Sequence, residues 1–192
     1  MESLFAIIIG AMLVNNFILT RFLGLCPFFG VSKKTSSALG MGTAVMFVMS
    51  LSSIIVWLIH NLLLIPFGLE YLQIITFILT IAVLVQFVEI FLKKFNTVLY
   101  KSLGIYLPLI TTNCAILGVA LLNVQENYNL LESLVFGLSA GVGFTLALLL
   151  MSGIRERLEH AKIPKSMQGI PIAFIIASIM SMAFMAFSGM IK

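Results

Sequence analysis

Six runs of about twenty apolar residues, joined by short links, take up almost the whole of this chain and limit what it can become. They lie near 3–22, 38–60, 70–92, 102–122, 131–152 and 168–190. A helix needs roughly 20 such residues to cross about 30 Å of hydrocarbon. Within that layer every backbone polar group has to be satisfied by the protein itself. The expected fold class is therefore an all-α integral membrane protein with six transmembrane helices, a single membrane domain over 1–192. Composition agrees: 61% of the 192 residues are hydrophobic and 9% charged, against about 25% charged in soluble domains, and mean hydropathy is +1.17. No stretch is left for a soluble catalytic domain. Glu2 ahead of the first run, with no basic start, gives no sign of a cleavable signal peptide.

Charge orients the bundle. Arg21, Lys33 and Lys34 flank the first link, Lys93, Lys94 and Lys101 the third, and Arg155, Arg157, Lys162 and Lys165 the fifth. Ten of the eleven Lys and Arg thus fall on one face, with Lys192 opposite. By the positive-inside rule that face is cytoplasmic, and both termini are expected on the extracytoplasmic side. The net charge of +4 then reports topology and anionic headgroups of the lipid bilayer; no nucleic-acid partner is implied.

The two cysteines sit at matching places. Cys26-Pro27-Phe28-Phe29-Gly30-Val31 superposes on Cys114-Ala115-Ile116-Leu117-Gly118-Val119 after a shift of 88 positions. At a shift of 97, Gly40, Val45, Phe47 and Leu51 meet Gly137, Val142, Phe144 and Leu148, while Phe77, Ile78 and Phe87 meet Phe174, Ile175 and Phe184. Two halves, about 1–95 and 96–192, follow as inverted three-helix repeats, because a unit of three spans re-enters from the opposite side. Such repeats build transporter cores with sites near the midplane on broken helices. Both cysteine-bearing segments, 1 and 4, carry interruptions: Asn15, Asn16, Arg21, Gly24 and Pro27 in one, Pro108, Thr111, Thr112 and Asn113 in the other. Depth points the same way. Cys114 comes about 20 Å after Lys101 along a helix, whereas Cys26 comes about 36 Å after Glu2, beyond a single crossing. Segments 1 and 4 are expected to be discontinuous, with Phe22–Val31 short enough to re-enter.

Other candidates have simpler explanations. Arg155-Glu156-Arg157-Leu158-Glu159-His160 reads as a solvated cytoplasmic loop, and His60 lies far from His160 in sequence. Gly40-Met41-Gly42 lacks the context of a nucleotide loop and, like Gly137-Leu138-Ser139-Ala140-Gly141, suits close helix packing. Glu89 is the acid of interest for ion handling, because ionised groups in hydrocarbon are expensive; a helix-surface pair with Lys93 accounts for it better. Glu132 suits the start of its helix. Three roles stay open for the thiols. Free cysteine packs as a small hydrophobe. Disulfides belong mainly to extracellular domains. Metal ligation fits duplicated placement beside bend-forming residues, yet an iron–sulfur cluster takes four thiolates and this chain has two, so a second copy or a related polypeptide would supply the rest.

Phe22-Leu23-Gly24-Leu25-Cys26-Pro27-Phe28, Gly30-Val31-Ser32-Lys33-Lys34, Gly104-Ile105-Tyr106-Leu107-Pro108-Leu109-Ile110-Thr111-Thr112-Asn113-Cys114-Ala115, Gly118-Val119-Ala120-Leu121-Leu122-Asn123 and Ile154-Arg155-Glu156-Arg157-Leu158 closely resemble the small membrane subunits of the Rnf ion-translocating electron-transport complex. The resemblance runs almost end to end and extends to the paired subunits of the sodium-pumping NADH:quinone reductase. It implies a component, without independent activity, of a bacterial inner-membrane complex that exchanges electrons between ferredoxin and NAD and moves Na+ or H+. It implies one [2Fe–2S] cluster shared with a homologous sister, RnfE, the ligands here being Cys26 and Cys114, and assembly with RnfB, RnfC, RnfD and RnfG. Gly24, Pro27, Gly30, Thr112, Asn113 and Gly118 would surround the cluster. The rival expectation is a secondary transporter or membrane scaffold with incidental cysteines.

Overall fold

The computed structural model describes residues 2–95 and 107–189 and is all-helical there. The expected boundary between halves, the start of the fourth span and Lys192 lie outside the described residues. Helix α1 covers Glu2–Ile9 and runs into a π turn at Gly10–Val14. A short helix α2, Leu25–Val31, follows a ten-residue break. Helix α3, Thr35–Ile59, continues through a π turn at His60–Leu64 into α4, Ile65–Phe67. Next come α5, Gln73–Phe95, the short α6, Leu107–Thr111, and α7, Cys114–Gln125. Helices α8, Leu130–Leu158, and α9, Ile170–Met185, complete the chain.

Among the described residues four stretches are long and apolar enough to cross a membrane: Thr35–Phe67, Gln73–Phe91, Pro108–Gln125 and Leu130–Leu158. Leu4–Val14 and Ile170–Met185 are shorter apolar helices. Two helices overrun the expected spans. The second reaches Phe67 rather than 60, running on through the π turn at His60–Leu64 and ending one residue after its proline at 66. The fifth reaches Leu158 rather than 152, because Arg, Glu and Leu are good helix formers and charge alone does not end a helix.

Helices α3 and α8 form the central pair, and glycine lets them approach. A Cβ on Gly42 would lie 2.6 Å from Thr145, and one on Gly141 would lie 2.7 Å from the Cα of Met46. Gly137 sits against Ser53 and the carbonyl of Met49. As numbers rise along one helix they fall along the other, so the pair is antiparallel, and both glycine motifs serve packing. Met41, Val45, Val48, Met49, Ser52 and Val56 of α3 are buried at helical spacing, as are Ala140, Phe144, Ala147, Leu148 and Met151 of α8. Trp57 Nε1 donates to the Tyr128 carbonyl at 2.8 Å and ties α3 to the α7–α8 turn. The start of α8 is closed by Asn129 N–H donating to Glu132 Oε2 at 2.9 Å, which gives Glu132 its role.

The outside is as apolar as the inside. Ile75, Leu79, Val83, Phe87 and Ile90 form one exposed stripe along α5, each at least 62% accessible. So large a bare apolar face would be a liability in water and is the expected surface toward lipid.

Candidate functional site

The break after α1 is held open by one side chain. Asn16, fully buried, accepts from the amides of Ile18 and Leu19 at 3.1 and 3.4 Å. Its Nδ2 donates to the carbonyls of Gly143 at 2.8 Å and Met12 at 3.4 Å. Gly143 leaves room for this, since a Cβ there would lie 2.9 Å from the Met12 carbonyl. Thr20 Oγ1 donates to the Asn16 carbonyl at 2.7 Å, and Ser181 Oγ of α9 donates to the Leu19 carbonyl at 2.6 Å. Backbone groups that leave a helix inside an apolar bundle need such partners. Asn16 was visible in the sequence as an interruption; its role as the organiser was not.

The end of this loop meets the second cysteine. Gly24, with φ +82°, donates its amide to Cys114 Sγ at 3.1 Å. Only glycine fits: a Cβ would stand in the left-handed region and 2.8 Å from Phe144 and 2.9 Å from Asn113 Oδ1. Cys26 follows two residues later in α2, so its Cα is at most about 7.6 Å from that of Gly24. Both thiols are free and exposed on the surface of the isolated chain. Cys26 lies in the first turn of α2 and Cys114 opens α7.

The other candidates divide. Asn113 is buried; its Oδ1 caps α7 by accepting from Ala115 N at 3.1 Å, while its Nδ2 has no hydrogen-bond partner. Gly118, one turn into α7, takes the break loop against itself, with Leu23 Cδ1 2.8 Å from where a Cβ would be. Pro27 is buried in the first turn of α2. Gly30 faces Leu109 of α6 at ordinary contact distance. Thr112 is exposed and closes α6, its Oγ1 donating to the Pro108 carbonyl at 3.1 Å. Glu89 stands elsewhere, half-buried on α5, accepting from Gln86 Nε2 at 3.4 Å within its own helix. Among the described residues no three His, Cys, Asp or Glu side chains converge on a metal position.

The segment read as a solvated loop is for the most part the last turn of α8, with Glu156, Arg157, Glu159 and His160 exposed as expected, and its first two residues grip the cysteine helix and the joint after it. Arg155, half-buried, donates from Nη1 to the Phe29 carbonyl at 2.9 Å and to Ser32 Oγ at 2.8 Å. Glu156 accepts from the Thr35 amide at 2.8 Å. Charge density suggested solvent; acceptors and donors 121–126 positions away in sequence, at the joint between α2 and α3, hold these two residues in place.

Known proteins resemble the chain over its length. The sequence profile described as "Rnf-Nqr subunit, membrane protein" matches residues 4–191. The A-type subunit of the ion-translocating oxidoreductase complex of Syntrophotalea carbinolica is 56% identical over 191 residues, 100% of this chain and 99% of the relative. The A-type subunit of the Na(+)-translocating ferredoxin:NAD(+) oxidoreductase complex of Acetobacterium woodii is 55% identical over 188 residues, 98% of each. The corresponding A-type subunit of the ion-translocating oxidoreductase complex of Edwardsiella ictaluri is 54% identical over the full length of both. With the profile match and the relatives extending across both cysteine segments, this chain belongs to the Rnf-Nqr family of membrane subunits.

Proposed function

We propose that the chain is the A-type subunit of an ion-translocating oxidoreductase of the ferredoxin:NAD+ type, and that Cys26 and Cys114 are half the ligand set of a [2Fe–2S] cluster. The other two thiolates would come from the homologous sister RnfE, with RnfB, RnfC, RnfD and RnfG completing the complex in the bacterial inner membrane. The bundle would cross six times as two inverted halves, with both termini extracytoplasmic.

The hydrogen bond from Gly24 to Cys114 Sγ carries this reading. It joins the two broken segments, brings the thiols into one neighbourhood and leaves both exposed to a partner. The donor set fits the group. Two thiols from one chain are half of the four an iron–sulfur cluster takes. The Gly24 amide already faces one sulfur, and Asn113, the residue before Cys114, carries a buried Nδ2 without a protein acceptor. Thiolates bind metal in their charged form, and amide donors compensate that charge where lipid cannot. Cys114 also heads a twelve-residue helix, where peptide dipoles favour negative charge. A bound cluster would supply one-electron transfer within the apolar layer; the chain's own part would be to order its two ligands.

Iron and acid-labile sulfide are measured in the purified complex, with EPR after mild reduction. Cys26→Ser and Cys114→Ser should each abolish the signal with the chain still present. A signal untouched by both substitutions rejects the assignment; a complex without iron favours a transporter or scaffold with incidental thiols.

A further inference from the structure

We propose that Arg155 is a positioning residue for the Cys26 thiol, holding from α8 the far end of the helix that carries it. The inference rests on the reading of Cys26 and Cys114 as one half-site.

Helix α2 cannot orient itself. It has seven residues, well short of the ~12–15 at which an isolated helix becomes even marginal. Its N-cap is Gly24, which has no side chain to cap with, and Pro27 removes an amide from the first turn. Phe28 and Val31 seat it in the core, and its polar tethers lie at its two ends. At the start, the Gly24 amide is bonded to Cys114 Sγ. At the finish, Arg155 Nη1 bridges the Phe29 carbonyl and the hydroxyl of the fully buried Ser32. The Phe29 carbonyl belongs to the last turn, where a cation meets the negative end of the peptide dipoles. The next residue, Glu156, holds the Thr35 amide at the start of α3. One turn of α8 thus clasps both sides of the joint between α2 and α3.

Helix α8 is a suitable anchor, since it is 29 residues long and packed along α3 through its glycines. Cys26 sits between the two grips. With the Arg155 grip released, α2 keeps its apolar packing through Phe28 and Val31 but loses its polar tether at the far end, so it tilts about Gly24 and its first turn re-aims the Cys26 side chain while the bundle stays assembled.

The test reads thiol geometry directly. Membranes carrying the full-length chain without its sister subunits are treated with a short and a long bifunctional thiol reagent, and Cys26–Cys114 crosslinking is quantified. Arg155→Gln should lower the short-to-long product ratio about tenfold, as loss of a hydrogen bond to a charged group implies, with chain abundance and long-reagent product unchanged. Arg155→Lys, which keeps the cation, should restore part of the ratio, and Ser32→Ala should lower it less. An unchanged ratio in Arg155→Gln overturns the proposal; if that variant does not accumulate, an unchanged ratio in Ser32→Ala does so. In the purified complex, a displaced EPR line shape in Arg155→Gln supports it. An iron-free wild-type complex would reject the cluster while leaving the crosslinking ratio to judge Arg155.

Discussion

The side-chain amide of Asn16 donates to the backbone carbonyl of Gly143, 127 positions away, at 2.8 Å. This bond fastens the first broken segment to the central helix pair, and the same side chain accepts from Ile18 and Leu19. Asn16→Ala removes all of these at a fully buried site. Thermal unfolding in detergent should show a loss of about 2–4 kcal/mol. Asn16→Asp keeps the acceptor and loses the donor, so it should not rescue; wild-type stability in either variant would contradict the role.

Gly24 and Gly118 both admit the break loop, for different reasons. Gly24→Ala meets backbone strain at φ +82° as well as Phe144 and Asn113, and should cost about 2 kcal/mol or more. Gly118→Ala meets chiefly Leu23 Cδ1, the mobile end of a side chain, and should cost about 1 kcal/mol. Melting temperatures of the two variants in one detergent check the order, and its reversal would refute the explanation.

Along α8 the glycines should separate by neighbour. Gly141→Ala drives a Cβ against the Met46 backbone and should destabilise by about 1–3 kcal/mol. A Cβ on Gly153 meets nothing within 4 Å, so Gly153→Ala should stabilise by roughly 0.5–1 kcal/mol through helix propensity. Paired melting curves decide; equal effects would mean the α3–α8 contact is looser than these distances require.

Asn113→Ala removes the cap of α7 and should cost about 1 kcal/mol. Asn113→Ser keeps a capping oxygen and should recover most of that stability. The comparison isolates the Oδ1 bond to Ala115 from the unpartnered Nδ2, and equal melting temperatures for the alanine variant and wild type would deny the cap.

Much of this protein is set locally. Apolar runs of bilayer length make helices wherever they fall, because buried backbone has no other way to pair its polar groups. Asn15, Asn16, Gly24, Thr112 and Asn113 lie in the two breaks beside the cysteines for the complementary reason, that these residues bond or bend backbone outside helices. Small residues at helical spacing marked α3 and α8 for close packing, though not the partner of either. The partners of polar groups were decided only by the assembled bundle. Nothing in the sequence joined Arg155 and Glu156 to Phe29, Ser32 and Thr35 until α8 brought them there, and Asn16 has a purpose only once Gly143 stands opposite. The nearness of Gly24 to Cys114 is of the same kind, spanning 90 positions. Hydrophobicity is a property each residue carries along the chain, whereas a hydrogen bond needs two groups at about 3 Å, and packing alone settles which distant groups reach that distance.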